Sequence, residues 1–399
     1  MSMPERNRGG PLQGVRVIEL GKVWAGPETS KQYAYLGAEV IKIESLGSVD
    51  VTRIIGGTDI NKTAGFKTVN PQKLSVQMNM KDPNGIALLL DLLRTADMFI
   101  ENLRPGAIGR MGLGYDVVKA VNPKIVYVSM GMYGNDGPFA YQTGYAPCFN
   151  AISGFSALVG YEGRTPTGIN VRYADSTYGT AAAYAGLVAL IHAKKTGVGQ
   201  FVDVSAVETM NSMIADAVMD YSLNGNTQVC VGNKHPEMAP HNVYRCDGAD
   251  WIAIAISSNE RWLALASAMG VSDARFATLS GRKANEAELD KIVSDWTAGK
   301  DALELVAYLQ ERGVAASKSQ NSIDLISDGL LWERGLFIDL IECDGDTRPN
   351  VGAAFKLSRG AAITHGSPAL GQHNEYVLGE ILGLSPEEQK RLAEAGITH

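Results

Sequence analysis

Asp175 is the residue at which chemistry and ordinary structure compete most openly. It lies in Tyr173-Ala174-Asp175-Ser176-Thr177-Tyr178-Gly179, directly ahead of the Ala-rich helical pattern Ser176 to Lys195. Helix capping accounts for an Asp there without any catalysis, because its side-chain oxygen satisfies N–H groups of the first turn. A functional role stays open because the residues that follow are small and pack closely, which lets a bulky ligand approach.

Other segments suit anion binding. The stretch Gly21-Lys22-Val23-Trp24-Ala25-Gly26-Pro27 follows a strand and opens a helix, so its backbone N–H groups and the helix N-terminus point toward a possible anion. It lacks the GxGxxG spacing, which disfavours a nicotinamide or flavin enzyme, and an ordinary tight βα turn explains it equally well. In Glu101-Asn102-Leu103-Arg104-Pro105-Gly106-Ala107, Asn102 and Arg104 fall where open sheets bind ligands, a place suited to a phosphate or adenine. Arg104 and Arg110 are equally readable as solvated charges. Gly131, Gly134 and Gly137 permit a tight loop after a strand. His235 and His241 sit in a loop without a third ligand at metal spacing, so no metal is expected. Neither a GxSxG elbow nor a GxxxxGK[ST] loop occurs, against a serine hydrolase of the usual α/β type and a P-loop enzyme.

The elements that must hold these residues read as a layered α/β lobe with a largely parallel sheet. Val15 to Leu20 is a strand, a helix runs from Gly26-Pro27 to Leu36, and Glu39 to Ile43 returns as a strand. Leu74 to Met80 alternates, Asp82-Pro83 starts a helix to about Thr95, and Met98 to Ile100 and Ile125 to Met130 are strands. Ala146 to Val159 and Ser176 to Lys195 read as helices, followed by a strand at Gln200 to Ser205. The boundaries predicted are 1–223 for the first part of a large domain, 224–241 for a linker or active-site loop, 242–335 for a small domain, and 336–399 for a return to the large one.

Composition bounds the class of protein. With 399 residues, 45% of them hydrophobic and 20% charged, the chain has the make-up of an ordinary globular protein large enough for two lobes. A net charge of -7 argues against general nucleic-acid binding, though a few cations at one pocket can still hold a polyanionic small molecule. Cys148, Cys230, Cys246 and Cys343 form no metal-type spacing and read as free thiols. The apolar stretch Gly179 to Ala193 is too short to span a bilayer and the N-terminus has no secretory pattern, so the expectation is a cytoplasmic protein without a membrane partner.

Beyond these local readings, the sequence resembles the class III CoA-transferase family, which includes formyl-CoA transferase, carnitine CoA-transferase and succinyl-CoA-dependent transferases. The resemblance covers nearly the whole chain. It is carried by Gly14-Val15-Arg16-Val17-Ile18-Glu19-Leu20, Ala25-Gly26-Pro27, Leu36-Gly37-Ala38-Glu39-Val40-Ile41-Lys42-Ile43-Glu44 and Glu101-Asn102-Leu103-Arg104-Pro105-Gly106, then by Met111-Gly112-Leu113-Gly114-Tyr115, Asn122-Pro123-Lys124-Ile125-Val126-Tyr127, Thr196-Gly197-Val198-Gly199-Gln200 and Val202-Asp203-Val204-Ser205.

The resemblance implies a Rossmann-like large domain, a smaller central α+β domain and an interlocked dimer of two ring-like chains, either a homodimer or a heterodimer with a homologous subunit. It implies Asp175 as a covalent nucleophile, and CoA contacts at Val23, Trp24, Ala25, Met78, Lys81, Asn102, Leu103, Arg104, Arg110 and Tyr145. CoA and acyl-CoA would be substrates, with no tightly bound cofactor. Trp24 stands where formyl-CoA transferase often has a polar residue such as Gln, and Ser45 where a basic residue commonly follows the Lys-Ile-Glu strand. A small acceptor such as oxalate is therefore disfavoured. Trp24, with Tyr133, Tyr145 and Tyr173, favours a larger acid, and the expected pair is succinyl-CoA with a substituted or aromatic succinate.

Two rival readings accompany this one. An α-methylacyl-CoA racemase needs a proton-transferring pair, and Gly144-Tyr145-Ala146 stands where that family has Gly-His-Asp. A non-catalytic CoA-binding subunit of a heteromeric transferase is the other; the presence of Asp175 argues against it.

Overall fold

The computed structural model describes residues 7–398 apart from 169 and 170. The chain divides into two compact units. The first takes in the chain through Ser156, Gly168–Thr227 and the stretch from Leu330 onward; the second is Ala157–Thr167 with Gln228–Gly329. Segment 157–167 joins the second unit through backbone bonds such as Gly232 N–H to Gly160 O at 2.8 Å, a pairing with no signature in the sequence.

The first unit is built around a sheet that has six strands among the described residues: β1 (Arg16–Leu20), β2 (Glu39–Glu44), β3 (Leu74–Gln77), β4 (Met98–Glu101), β5 (Val126–Gly131) and β6 (Gln200–Ser205). Their order is β3-β2-β1-β4-β5-β6, every neighbouring pair parallel. This is the doubly wound, Rossmann-like order, in which β1 and β4 diverge to opposite sides and open a crevice beyond their C-terminal ends.

Alternate residues of the strands feed two cores, as period-2 geometry requires. Val17, Val40, Met98, Ile100, Val126 and Val128 face one side with Tyr33 and Ala182. Ile18, Ile41, Leu74, Val76, Phe99 and Tyr127 face the other with Leu89, Leu92 and Tyr376. Both faces are covered, so the strand interiors read as unbroken apolar runs.

Helix α1 (Ala25–Tyr35) follows β1, α2 (Pro83–Leu93) follows β3, and α3 (Val171–Thr196) precedes β6. The start of α2 agrees with the sequence: Asp82 caps it by accepting from Asn84 N–H, with Pro83 in the first turn. The start of α3 does not. The helix begins at Val171, so Asp175 lies inside it and is not a cap. Ala174 and Tyr178 are buried one turn apart, and packing of that face carries the helix through an Asp that propensity alone would place at its end. The helix expected over Ala146 to Val159 breaks after Ile152, where Gly154 adopts φ +87°.

Close approach of α1 and α3 depends on two glycines. A Cβ on Gly179 would lie 2.8 Å from Ala25 O, and one on Gly186 would lie 2.2 Å from Tyr33 Oη and 2.9 Å from Met98 Cε. Tyr33 Oη donates to Ala183 O at 2.9 Å across the same seam.

The second unit is a smaller α+β assembly. Strands β7 (His241–Arg245), β8 (Trp251–Ala255) and β9 (Ala315–Lys318) form an antiparallel sheet in that order. Ile252, Ile254, Trp262, Leu265, Phe276, Leu289 and Leu309 fill its core. β7 and β9 escape notice in sequence because each is short and lacks a clean alternation.

Gly186→Leu forces a side chain into the α1–α3 seam. The expected outcome is a loss of about 2–3 kcal/mol, read as a lower urea midpoint, from overpacking a closed interface. An unchanged midpoint would contradict this packing.

Candidate active site

The turn between β1 and α1 is held by buried charge. Glu19 at the end of β1 is fully enclosed; its Oε1 accepts from Lys42 Nζ at 2.9 Å, and its Oε2 accepts from Lys73 Nζ at 2.8 Å and Ser30 Oγ at 2.6 Å. The two ammonium groups also grip the turn's backbone: Lys42 donates to Gly21 O at 2.7 Å and Lys73 to Pro27 O at 2.8 Å. Burial alone would raise the Glu19 carboxyl, but Lys42, Lys73 and Ser30 outweigh it and hold it down to about 2.

Further braces fix the same turn. Asp50 Oδ1 accepts from Val23 N–H at 3.1 Å. Asn102, just past β4, accepts from Lys22 N–H at 2.8 Å and donates through Nδ2 to Lys22 O at 3.0 Å. A Cβ on Gly26 would lie 2.8 Å from Asn102 Cγ, so only glycine admits the side chain at this distance. Val23 sits at φ +70°, strained for a β-branched residue and tolerated because the surrounding bonds over-determine it.

The braced turn presents Trp24 to α3. The indole is 9% exposed, and its Nε1–H donates to Ser176 Oγ at 3.1 Å. The Arg172 guanidinium carbon stands 5.0 Å from the indole ring centroid. Asp175 lies between these two residues in the helix and makes no hydrogen bond or ion pair among the described residues. Burial raises its carboxyl to about 6. A partly desolvated, unpaired carboxylate at the C-terminal edge of a parallel sheet is suited to nucleophilic or acid–base work.

Comparison with known proteins decides what the site belongs to. Residues 12–374 match CoA-transferase family III. The chain belongs to that family. It is 33% identical over 385 residues to succinyl-CoA–D-citramalate CoA-transferase of Chloroflexus aurantiacus, covering 95% of this chain and 96% of the relative. It is 31% identical to succinate–glutarate CoA-transferase of Agrobacterium fabrum over 388 residues, covering 94% and 96%. Among solved structures, a CAIB/BAIF family protein from Brucella suis superposes with a TM-score of 0.88 at 30% identity, covering 94% of this chain and 100% of that one. The chain is thus a class III CoA-transferase, an enzyme class that moves CoA between acyl-CoA and carboxylic acids.

In this CoA-transferase the residues expected to contact CoA fall into three groups. Val23, Trp24, Ala25, Asn102 and Leu103 converge at the β1–β4 crevice; Leu103 N–H donates to Glu101 Oε2 at 2.9 Å. Asn102 braces the turn. Lys81, Arg104 and Arg110 are exposed cations, Arg110 lying over Gly106, and Lys81 is near enough for its charge to act on Lys22. Tyr145 is 66% exposed just before the helix Ala146–Ile152. Met78 differs from expectation: its side chain is fully enclosed in the core beside Val76 and Leu89, and its N–H is bonded to Glu44 O, so that side chain and that N–H offer nothing to a ligand.

Glu19, Lys42, Lys73 and Asp50 as a turn-fixing cluster, and Ser176 and Arg172 as neighbours of Trp24, are not identified by spacing. A usable signal exists for the first set: charged residues close otherwise apolar parallel strands, Glu19 in β1 and Lys42 and Glu44 in β2, and a buried strand end carries charge only where that charge has partners. A cleft of opposite location, lined by Arg8, Arg16, Glu39, Asp97 and Tyr376 at the N-terminal ends of the strands, has its charges largely answered internally, as in Arg16 Nε to Glu39 Oε2 at 2.5 Å.

Two outcomes follow from these electrostatics. Glu19→Ala strands two buried ammonium groups, and a loss of about 3–5 kcal/mol is expected, against under about 1 kcal/mol for Lys194→Ala, whose half-exposed ammonium pairs with Asp97; chemical denaturation compares them. Asp175 has a folded pKa of about 6 above its ordinary 3.8, so the native state loses stability as pH rises through that window and does not regain it above. Asp175→Asn is therefore expected to stabilise the protein by on the order of 1–2 kcal/mol near neutral pH and to have no such effect below pH 3.8. Melting curves at both pH values check the sign.

Proposed function

We propose that the chain transfers CoA from succinyl-CoA to a substituted succinate through an acyl–Asp175 intermediate, working as an interlocked pair of chains. The single observation that carries this reading is the state of Asp175: half-buried, raised to about 6 and unanswered by any cation among the described residues, yet still ionised in large part near neutral pH. A solvated or ion-paired carboxylate is a poorer nucleophile.

The chemistry balances without an outside reagent. The Asp175 carboxylate attacks the thioester carbonyl, the C–S bond breaks, and a mixed anhydride and CoA thiolate result. The thiolate returns to the Asp175 carbonyl, releasing the donor acid and leaving an aspartyl-CoA thioester. The acceptor carboxylate displaces the thiolate to form a second anhydride. Thiolate attack on the acceptor's own carbonyl then yields the new acyl-CoA and restores Asp175. Each intermediate is hydrolysable, so the site must exclude water.

The two relatives support the substrates: one is a succinyl-CoA–D-citramalate CoA-transferase and the other a succinate–glutarate CoA-transferase. The Trp24 ring is flanked by Arg172, which favours a polar substituted succinate over an aromatic one. Lys81, Arg104 and Arg110 supply exposed positive charge for the phosphates of CoA. Tyr184, Val188 and Ile191 of α3 are each more than half exposed at helical spacing, an apolar stripe that supports a covering second chain.

Incubation with succinyl-CoA, quenching with hydroxylamine or borohydride, and peptide mass mapping should tag Asp175. Asp175→Ala should lower transfer by at least about a thousandfold. Turnover preserved in that variant, or a tag on another residue, would contradict the covalent route.

A further inference from the structure

Glu101 is a buried carboxyl at the head of the crevice that the covalent chemistry does not use. It ends β4, and the strand register sets it beside Ser129 of β5, which in turn stands beside Asp203 of β6. Side chains in one such row across neighbouring strands lie on the same face of the sheet.

The row is joined by hydrogen bonds. Glu101 Oε2 accepts from Leu103 N–H at 2.9 Å, and Oε1 accepts from Ser129 Oγ. Asn135, in the loop after β5, donates through Nδ2 to Ser129 Oγ at 3.1 Å and to Asp203 Oδ1 at 2.7 Å, and its N–H donates to Asp203 Oδ2 at 2.8 Å. One carboxyl thus ties the exit of β4 to the loop after β5 and, through Asn135, to β6. Burial raises the Glu101 carboxyl, opposed by the bonds from Ser129 and Leu103, and the Asp203 charge adds to the rise.

The exit matters because of what it carries. Asn102, between Glu101 and Leu103, holds Lys22 by both its N–H and its O, and Arg104 follows as an exposed cation. The β1–α1 turn keeps its own grip from Lys42, Lys73 and Asp50. Release of Glu101 therefore falls on the β4 side of the crevice, at Leu103 and Arg104, and spares the bond from Trp24 to Ser176 of α3.

We propose that Glu101 is a positioning residue for CoA: it holds the β4 exit in the geometry that binds the coenzyme, acting through Leu103 and Arg104, and takes no part in the chemistry at Asp175. The inference rests on the reading that this crevice takes CoA.

The test titrates CoA into the full-length enzyme by calorimetry and measures kcat for transfer at saturating succinyl-CoA and glutarate. Glu101→Ala is expected to weaken CoA binding by about 10–100-fold, the range of a bond to a charged group. Its kcat should stay within about threefold of wild type, the pattern of lost binding without lost transition-state stabilisation. Glu101→Gln should recover affinity to within about threefold, because its Oε1 accepts from Leu103 N–H while its Nε2 donates to Ser129 Oγ. A Kd for CoA unchanged in Glu101→Ala overturns the inference, and so does a loss that falls on kcat alone. Where Glu101→Ala does not fold, Ser129→Ala carries the test: a loss of about 2–10-fold in affinity is expected, the range of a neutral bond, and an unchanged Kd overturns the inference. Arg104→Ala separates the two claims. Weaker binding there, with none in Glu101→Ala, defeats the role of Glu101 alone, whereas an unchanged Kd in both variants removes CoA from this crevice.

Discussion

The enclosed carboxylate of Glu19, shared by Lys42 and Lys73, is the interaction on which the site depends. Three charges withdrawn from water at the C-terminal edge of a sheet are costly, and such clusters contribute little net stability compared with an apolar core. What they provide here is position. The two lysines come from neighbouring parts of the sheet, at the end of β2 and just before β3, and each reaches past Glu19 to a carbonyl of the β1–α1 turn. The turn cannot relax without breaking an ion pair in a medium that cannot replace it. Val23 therefore holds a left-handed conformation and Trp24 is delivered to the side of α3.

Asp175 is the converse case. Glu19 is buried and answered, and its carboxyl is held down; Asp175 is half-buried and unanswered, and its carboxyl is pushed up. The same physical term, loss of hydration, acts on both, and the presence or absence of a cation decides the sign of the outcome. A carboxylate held ionised without a cation in this way costs folding free energy. The rigid partners around it, Gly179 closing α3 onto α1 and Tyr178 donating to Gly131 O and Val204 O, keep the helix from yielding to that cost.

Much of the frame was legible in sequence because it is written in local periodicity. β6 is found residue for residue, β1, β2, β4 and β5 within a residue or so, and the Asp82-Pro83 start of α2 is a chemical signal that the structure honours. The family resemblance supplied Asp175 and the β1–α1 turn. Contacts between residues far apart in the chain were not legible: Glu19 meets Lys73 across 54 positions and Trp24 meets Ser176 across 152. The cap reading of Asp175 failed because propensity speaks only for the turn it sits in, whereas burial of Ala174 and Tyr178 extends the helix upstream. Met78 was read as a strand-end ligand, but the alternation of β3 continues through it and points its side chain into the core.

The central claim is that the Asp175 carboxyl becomes covalently joined to the acids it activates. Oxygen tracing tests this most directly. In the proposed sequence the acceptor carboxylate supplies the bridging oxygen of the second anhydride, and thiolate attack on the acceptor carbonyl leaves that oxygen on the protein. Turnover with an acceptor labelled with heavy oxygen in its carboxylate should therefore place label in the peptide that contains Asp175, and continued turnover should exchange both of its carboxyl oxygens. A peptide that stays unlabelled after many turnovers, with the acyl-CoA product formed, would contradict the account.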